Sequence, residues 1–366
     1  MDDCLIVGGG VIGLTLAYDL AKHGYRVRVL ERGRLGREAS WAGAGILPPA
    51  GNRADMHPYD QLCWQSHRAH PHLAAELTEA TGIETGFTPC GGVHVARSNG
   101  DGALLRGMVS SLRDEGIDVQ PLDAAELAAL EPAISTDAGI AMACQLPTES
   151  QLRNPWHLKA LAAACLKFGV TIEEQTEVTS WKEKDGRVVG LETSQGMRTA
   201  GQYCLTAGAW TGQILQRHDL HTGILPVKGQ MLQYQFEPGV IKRIINEGPR
   251  YVVPRADGLV LAGSTEEEVG FQKETTEPEL ADLHRFATSL IPRLADAEIV
   301  GRWAGLRPAV YDSFPYMAKL PDLANAFVAA GHFRSGLFLS PATAIVMSQL
   351  IRGEQPEIDL SPFRVR

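Results

Sequence analysis

No CxxC pair occurs among the six cysteines, Cys4, Cys63, Cys90, Cys144, Cys165 and Cys204. That scatter excludes a disulfide framework and the usual zinc spacings. It suits small buried thiols in a reducing cytosol, so a cytoplasmic location is expected. No stretch approaches the roughly 18 consecutive apolar residues that span a bilayer. The opening strand already belongs to a folded unit, so no signal peptide is expected either. An excess of positive charge is also missing: 34 basic and 43 acidic residues give a formal net charge of −9. Such a balance argues against a nucleic-acid surface, although a few local arginines can still bind a small anion. Internal repeats, low-complexity tracts, a Ser-His-Asp set and paired catalytic carboxylates are all lacking. His67, His70 and His72 come nearest to a metal cluster. Their spacing suits no single helical face and no acid or cysteine motif accompanies them, so a solvated helix surface and no metal are expected there.

What is present begins at the N-terminus. The apolar strand Cys4-Leu5-Ile6-Val7 runs into Gly8-Gly9-Gly10-Val11-Ile12-Gly13, then into a helical pattern ending near Gly24. A second strand, from Arg26 to Leu30, stops at Glu31. In such a unit Gly8 permits the tight turn, Gly10 lets a pyrophosphate approach the backbone, and Gly13 lets helix and strand pack closely. The free N–H groups and positive end of the helix face the phosphates. Glu31 is placed to accept hydrogen bonds from a ribose hydroxyl.

A chain of 366 residues, 44% of them hydrophobic, is long enough for about two packed domains. After the fingerprint come a small-residue loop over 38–45, a helix over 60–81 and an irregular stretch over 86–150 that includes a helical pattern at 103–115. A helix over 156–168 follows. Strands are expected at 177–183 and 187–193 around an Asp185-Gly186 turn, then at 202–205. Tyr251 to Arg255 and Leu259 to Gly263 flank Asp257-Gly258 as a second hairpin. Helices are expected at 278–290 and from about 341 to 352. Nucleotide-type elements therefore stand at the start, middle and end. The expected division is a discontinuous domain of residues 1–85, 150–222 and 302–366 for the nucleotide, with 86–149 and 223–301 forming the substrate domain.

Glu31 alone does not separate NAD from FAD, since both present a ribose. Three further glycine turns, Gly43-Ala44-Gly45, Gly208 and Gly331 through Gly336, offer close backbone approach at points far apart in the chain. A nicotinamide enzyme completes its site within one contiguous unit, whereas extended FAD threads several. Each turn is read as following a strand.

Taken with Gly8–Gly13 and Glu31, several segments make the resemblance specific. These are Ala39 through Gly45, Thr206-Ala207-Gly208-Ala209-Trp210, Pro226-Val227-Lys228-Gly229-Gln230, Trp303-Ala304-Gly305-Leu306-Arg307-Pro308 and Gly331-His332-Phe333-Arg334-Ser335-Gly336. Nearly the whole chain resembles the D-amino-acid-oxidase-related family of FAD-dependent oxidoreductases, in its glycine-oxidising branch. The resemblance implies an α/β fold in which a Rossmann-like FAD domain joins a discontinuous α+β substrate domain on a mainly antiparallel sheet. It implies cofactor contacts at Gly8, Gly10, Val11, Ile12, Gly13, Glu31, Arg32, Ala39, Ser40, Gly43, Ala44, Gly45, Ile46, Val178, Ala207, Gly208 and Trp210. Further contacts are implied at His332, Phe333, Arg334, Ser335, Gly336, Leu337 and Phe338. The helix beginning near Pro341 is expected to aim its positive end at the flavin. Family members with covalent flavin carry a cysteine after the AGLRP motif. None occurs here after Cys204, so the FAD is expected to be non-covalent.

For the substrate, the resemblance implies that Arg307 clamps a carboxylate, for which a planar guanidinium fork is suited. Tyr251 is the implied second donor and Arg334 a further contributor. Strand alternation puts Arg250 on the face opposite Tyr251, in a different role. The implied reaction is oxidative deamination of glycine, sarcosine or a small D-amino acid by hydride transfer to flavin. Dioxygen becomes hydrogen peroxide, and the imine serves thiamine thiazole synthesis. No catalytic acid or base is expected, because orientation and a neutral amine suffice. Two other readings stay open: a dehydrogenase of this fold with a non-oxygen acceptor, and a non-catalytic FAD-binding subunit. The expected partners are a small amino acid, dioxygen and further copies of the chain, with no nucleic acid and no membrane span.

Overall fold

A computed structural model describes residues 1–53 and 55–365. The strand Asp2–Val7 sits inside a six-stranded sheet. Across the sheet the order is Tyr316–Lys319, Ala326–Ala330, Ala200–Leu205, Asp2–Val7, Val27–Leu30 and Thr171–Glu173. All neighbours are parallel except the edge strand Tyr316–Lys319. Parallel strands covered on both faces read as unbroken apolar runs, which is how Cys4 through Val7 read. Alternation then splits them. Cys4 and Ile6 join a core with the helices Val11–Lys22, Pro58–Thr81, Asn154–Lys167 and Gly336–Arg352. Leu5 and Val7 point the other way, onto Val178, Trp181, Val188 and Leu191 of a three-stranded antiparallel sheet. The turn of that sheet is Asp185-Gly186, both residues at positive φ (54° and 68°), as a two-residue hairpin loop requires.

A second, eight-stranded sheet has the order Glu298–Ala309, Leu225–Gln235, Leu259–Gly263, Arg250–Pro254, Ile244–Glu247, Gly92–Ala96, Met142–Leu146 and Gln120–Leu122. Every pair is antiparallel except Ile244–Glu247 with Gly92–Ala96. Strand Glu298–Ala309 pairs from end to end with one bulge at Val300, so residue 302 lies inside a strand of this sheet. One face, carrying Val93, Tyr234, Ile245, Val252 and Ala262, is buried under Leu280, Leu283, Phe286 and Leu290 of the helix Glu277–Leu290. The other face looks toward the six-stranded sheet. Between the two lies the functional cavity.

Three expectations need correction here. The loop over 38–45 contains a helical turn, Ala39–Ala42, so Gly43 follows a short helix and not a strand. The last helix begins at Gly336, five residues before Pro341, which sits inside it. A proline within a helix lacks only its own N–H, and neighbours can satisfy the carbonyl left over. The carbonyl left over is that of Leu337, which accepts from Ser340 Oγ at 2.9 Å, while the helix Pro58–Thr81 serves the next pair of backbone groups. His70 Nε2 lies 2.8 Å from Phe338 O, and Ser66 Oγ accepts from Ala342 N at 3.4 Å. His70 is therefore not on a solvated surface. It is buried, and burial lowers its pKa to about 4, while His72 alone of the three is exposed.

Candidate active site

A continuous cavity of about 400 Å³ runs from the tips of the parallel strands to the inner face of the eight-stranded sheet. At its first end Gly8, Gly10, Val11 and Ile12 line the wall. Gly8 has φ +111°, and a Cβ there would lie 2.5 Å from Thr206 O, so only glycine fits. Gly13 does not line the cavity. A Cβ on it would meet Gly8 O at 2.0 Å, which makes it the contact that lets helix and strand close. The Val11 N–H donates to Ser40 Oγ at 2.9 Å, and the other N–H groups of this first turn have no intrahelical acceptor. Such a turn is a ready site for phosphate oxygens.

Glu31 is buried beside it, accepting from Gly9 N at 2.9 Å and Gly33 N at 2.8 Å. Each carboxylate oxygen keeps a free lone pair on the cavity side for a further donor. Beyond it, the Arg32 guanidinium stacks 3.5 Å from the Trp210 ring, and Val178, Ala207 and Gly208 complete that wall. Ala39, Ser40, Gly43, Ala44, Gly45 and Ile46 line the middle. Gly45 is held at φ +80°, where a Cβ would strike Leu152 O at 2.0 Å. Asn154, also in the lining, donates to Ser40 O at 2.7 Å and leaves a buried Oδ1 unpaired. His332 through Phe338 close the far side, where the last helix starts. His332 is buried, which lowers its pKa to about 3, and its Nε2 lies 3.1 Å from Thr343 Oγ1.

These features suit an extended dinucleotide. The groove is long, its phosphate end offers unpaired N–H groups beside crowded glycines, and an acid sits where a ribose would follow. The residues present therefore fit FAD.

The second end is built from the sheet. One residue of each successive strand falls in a single cross-strand row: Trp303, Met231, Gly263, Tyr251, Asn246 and His94. Gly263 has no side chain, and that gap admits Met231 and Tyr251 from either side; the Tyr251 hydroxyl donates to Met231 Sδ at 3.4 Å. Arg307 comes from the same strand as Trp303 and lies over Gly229, whose absent Cβ makes the room. Its Nη1 donates to Thr265 O at 3.1 Å and its Nη2 to Ser264 Oγ. Each terminal nitrogen carries a second N–H, and the guanidinium also hydrogen-bonds the Tyr251 side chain, so the fork is only partly committed. Burial lowers the Arg307 guanidinium below its ordinary range. The Tyr251 oxygen opposes that shift, and the Arg334 charge adds to it. Arg334 itself is paired with Glu266 and donates to Pro249 O at 2.8 Å. Arg250 points to the opposite face and pairs with Asp282 of the covering helix.

The structure thus brings Arg307, Tyr251 and Arg334 to one end of a cavity lined by every sequence-expected cofactor residue except Gly13. Met231, Asn246, Gly229 and Asn154 also line it and were not foreseen. The signal for the first two lies in strand register, which pairs them with Gly263 and Tyr251; sequence spacing alone does not carry it.

Comparison with known proteins agrees with this geometry. Residues 3–350 match the model of the family described as FAD dependent oxidoreductase. The chain is 35% identical to a glycine oxidase of Pseudomonas aeruginosa over 362 residues, covering 98% of this chain and 97% of that protein. It is 30% identical to the bifunctional protein ThiO/ThiG of Trichormus variabilis, covering 99% of this chain and 54% of that longer protein. The crystal structure of glycine oxidase from Geobacillus kaustophilus superposes with a TM-score of 0.95 at 31% identity, covering 100% of this chain and 98% of that one.

Proposed function

Because this chain belongs to the FAD-dependent oxidoreductase family and is an FAD-dependent amino acid oxidase, we propose that its substrate is glycine or a similarly small amine, with dioxygen as final acceptor. The net reaction converts glycine, dioxygen and water to glyoxylate, ammonia and hydrogen peroxide. We assign Gly8, Gly10, Val11, Ile12, Glu31, Arg32, Ser40, Gly45, Val178, Trp210 and the turn His332–Phe338 to holding FAD without a covalent bond. When bound, FAD supplies the two-electron acceptor. The imine product is taken to serve thiamine thiazole synthesis.

The chain's own residues supply binding and orientation. The N–H groups of Arg307 not committed to Thr265 and Ser264 take the substrate carboxylate in charge-assisted hydrogen bonds. Tyr251 adds another, and the Arg334 charge raises the local potential. Fixing the carboxylate at the sheet leaves the short substrate only one direction, toward the cavity axis. Met231 keeps water from the Cα hydrogen, which leaves with its electron pair as the amine becomes an imine.

One observation carries this reading: a partly committed guanidinium lies over Gly229 beside Tyr251, at the cavity end away from the glycine fingerprint. Anaerobic flavin reduction with glycine, sarcosine, D-alanine and D-proline, compared side by side, tests it. Glycine or sarcosine should bleach the flavin fastest, and readmitted air should yield hydrogen peroxide. Flavin that stays oxidised with all four would overturn the assignment. Bleaching without peroxide would move the reading to a dehydrogenase.

A further inference from the structure

Tyr251 and Asn246 are direct cross-strand partners, so their side chains stand next to each other on the cavity face. Asn246 lines the same cavity as Arg307, yet nothing in the carboxylate clamp uses it. Its amide is held from behind. Nδ2 donates to Glu149 Oε2 at 3.2 Å and lies 3.2 Å from His94 Nε2, which is itself 3.2 Å from the same carboxylate oxygen. Glu149 is buried, and it is built in: a Cβ on Gly92 would fall 1.5 Å from Oε2. A carboxylate only accepts, so turning the amide over would set two acceptor oxygens against each other. The orientation is thereby fixed with nitrogen inward. No donor among the described residues reaches Oδ1, and Asn246 is part of the cavity lining.

We propose that Asn246 recognises the substrate amine, its Oδ1 accepting a hydrogen bond from the N–H while Arg307 and Tyr251 hold the carboxylate. Glu149 and His94 are positioning residues that set the amide. This rests on the small-amino-acid reading above. The chemistry favours an amide here over an acid. A carboxylate would stabilise the ammonium form and hold the proton that must leave before hydride can transfer. A neutral carbonyl oxygen orients the N–H without that cost.

The test compares two probes on the FAD-loaded protein. Glycine carries both groups; acetate carries the carboxylate alone. Asn246→Leu should weaken apparent glycine affinity in anaerobic flavin reduction by about tenfold, the scale of one buried hydrogen bond. Acetate affinity, read from the perturbed flavin absorbance, should stay within about twofold of the parent, by the same reckoning. Asn246→Ser, which is smaller and cannot reach, should repeat the pattern if the leucine variant folds poorly. Glu149→Leu should show the same selective loss, whereas Glu149→Gln, which can still accept from Nδ2, should retain most glycine affinity. Equal losses for glycine and acetate, or no loss for either, would overturn the proposal. Arg307→Lys should weaken both probes. If the parent protein is reduced by no amino acid, the underlying reading fails; if it is reduced but Asn246→Leu binds glycine normally, only this inference fails.

Discussion

Replacing Gly229 with alanine should disable substrate binding while sparing the fold. The added Cβ would lie 2.3 Å from Nη1 and Nη2 of Arg307 and 2.4 Å from Cζ. Ordinary contact begins near 3.4 Å, so the guanidinium must retreat by about 1 Å, which is the difference between those two distances. The strand does not need glycine's conformational freedom at this point, since Gly229 is absent from the residues at positive φ. Nor is the clashing group a rigid one, because it is the far end of a long side chain. The stability cost should therefore be small, within about 1 kcal/mol for a strand glycine gaining a methyl group. The functional cost should be large. Moving the fork by 1 Å breaks its registry with Thr265 O and Ser264 Oγ, and a misplacement of that size costs on the order of 100-fold in rate. Rapid-mixing anaerobic reduction should show glycine kcat/KM down by about that factor. FAD content at 450 nm and the thermal midpoint should be close to the parent's. In the Arg307→Lys background the same substitution should add little, since both act on one group. Parent-like glycine kinetics for Gly229→Ala would refute the reasoning, because the guanidinium would then not need the place the structure gives it.

Other outcomes follow from the same contacts. Gly13→Ala should destabilise the protein by about 1–3 kcal/mol and impair FAD retention, since its Cβ meets backbone at 2.0 Å and cannot be relieved by a side-chain move; chemical denaturation and flavin content measure both. Glu31→Ala should leave the protein folded but weaken FAD binding by about tenfold, read by titrating the apoprotein, because the Gly9 and Gly33 amides lose their shared acceptor. His157 is buried with both ring nitrogens unpaired, and burial lowers its pKa to about 3. A histidine neutral in the folded state and protonated when unfolded contributes full stability above about pH 6.5, and loses it as pH falls through 6.5 toward 3. His157→Leu should make that acid limb shallower without abolishing it, because His70 and His332 are also lowered by burial; urea titrations at pH 5 and pH 7 measure it, and an unchanged limb would exclude a contribution from His157. Acid precipitation should leave the flavin in the supernatant, since no cysteine lines the cavity among the described residues; flavin in the pellet would contradict non-covalent binding.

The strand, turn and helix over residues 4–24 and the strand ending at Glu31 were legible because their chemistry is local. A glycine that must accept φ +111°, or must let a helix touch a strand, is visible as a glycine at fixed spacing. The hairpin at Asp185-Gly186 was legible for the same reason. His70 was not, because its environment is set by Phe338, more than 260 residues away, and a spacing rule within one helix does not see it. The start of the last helix was misjudged because Pro341 reads as a beginning. Ser340 takes the freed carbonyl of Leu337 and the neighbouring helix supplies Ser66 and His70 to the next pair, which lets the helix run through the proline.

The sequence by itself determined the nucleotide-binding unit, the family resemblance and the identity of Arg307, Tyr251 and Arg334 as the residues to watch. The first rests on residue type at short spacing, which the covalent chain sets directly; the three residues rest on what the resemblance implies. Only the tertiary structure decided that Gly229 is the floor beneath Arg307 and that Asn246 stands beside Tyr251. It alone decided that Glu149, seated against Gly92, holds Nδ2 of the Asn246 amide. Those relations depend on strand register between segments up to about 150 residues apart. A shift of one residue would send the same side chains to the opposite face.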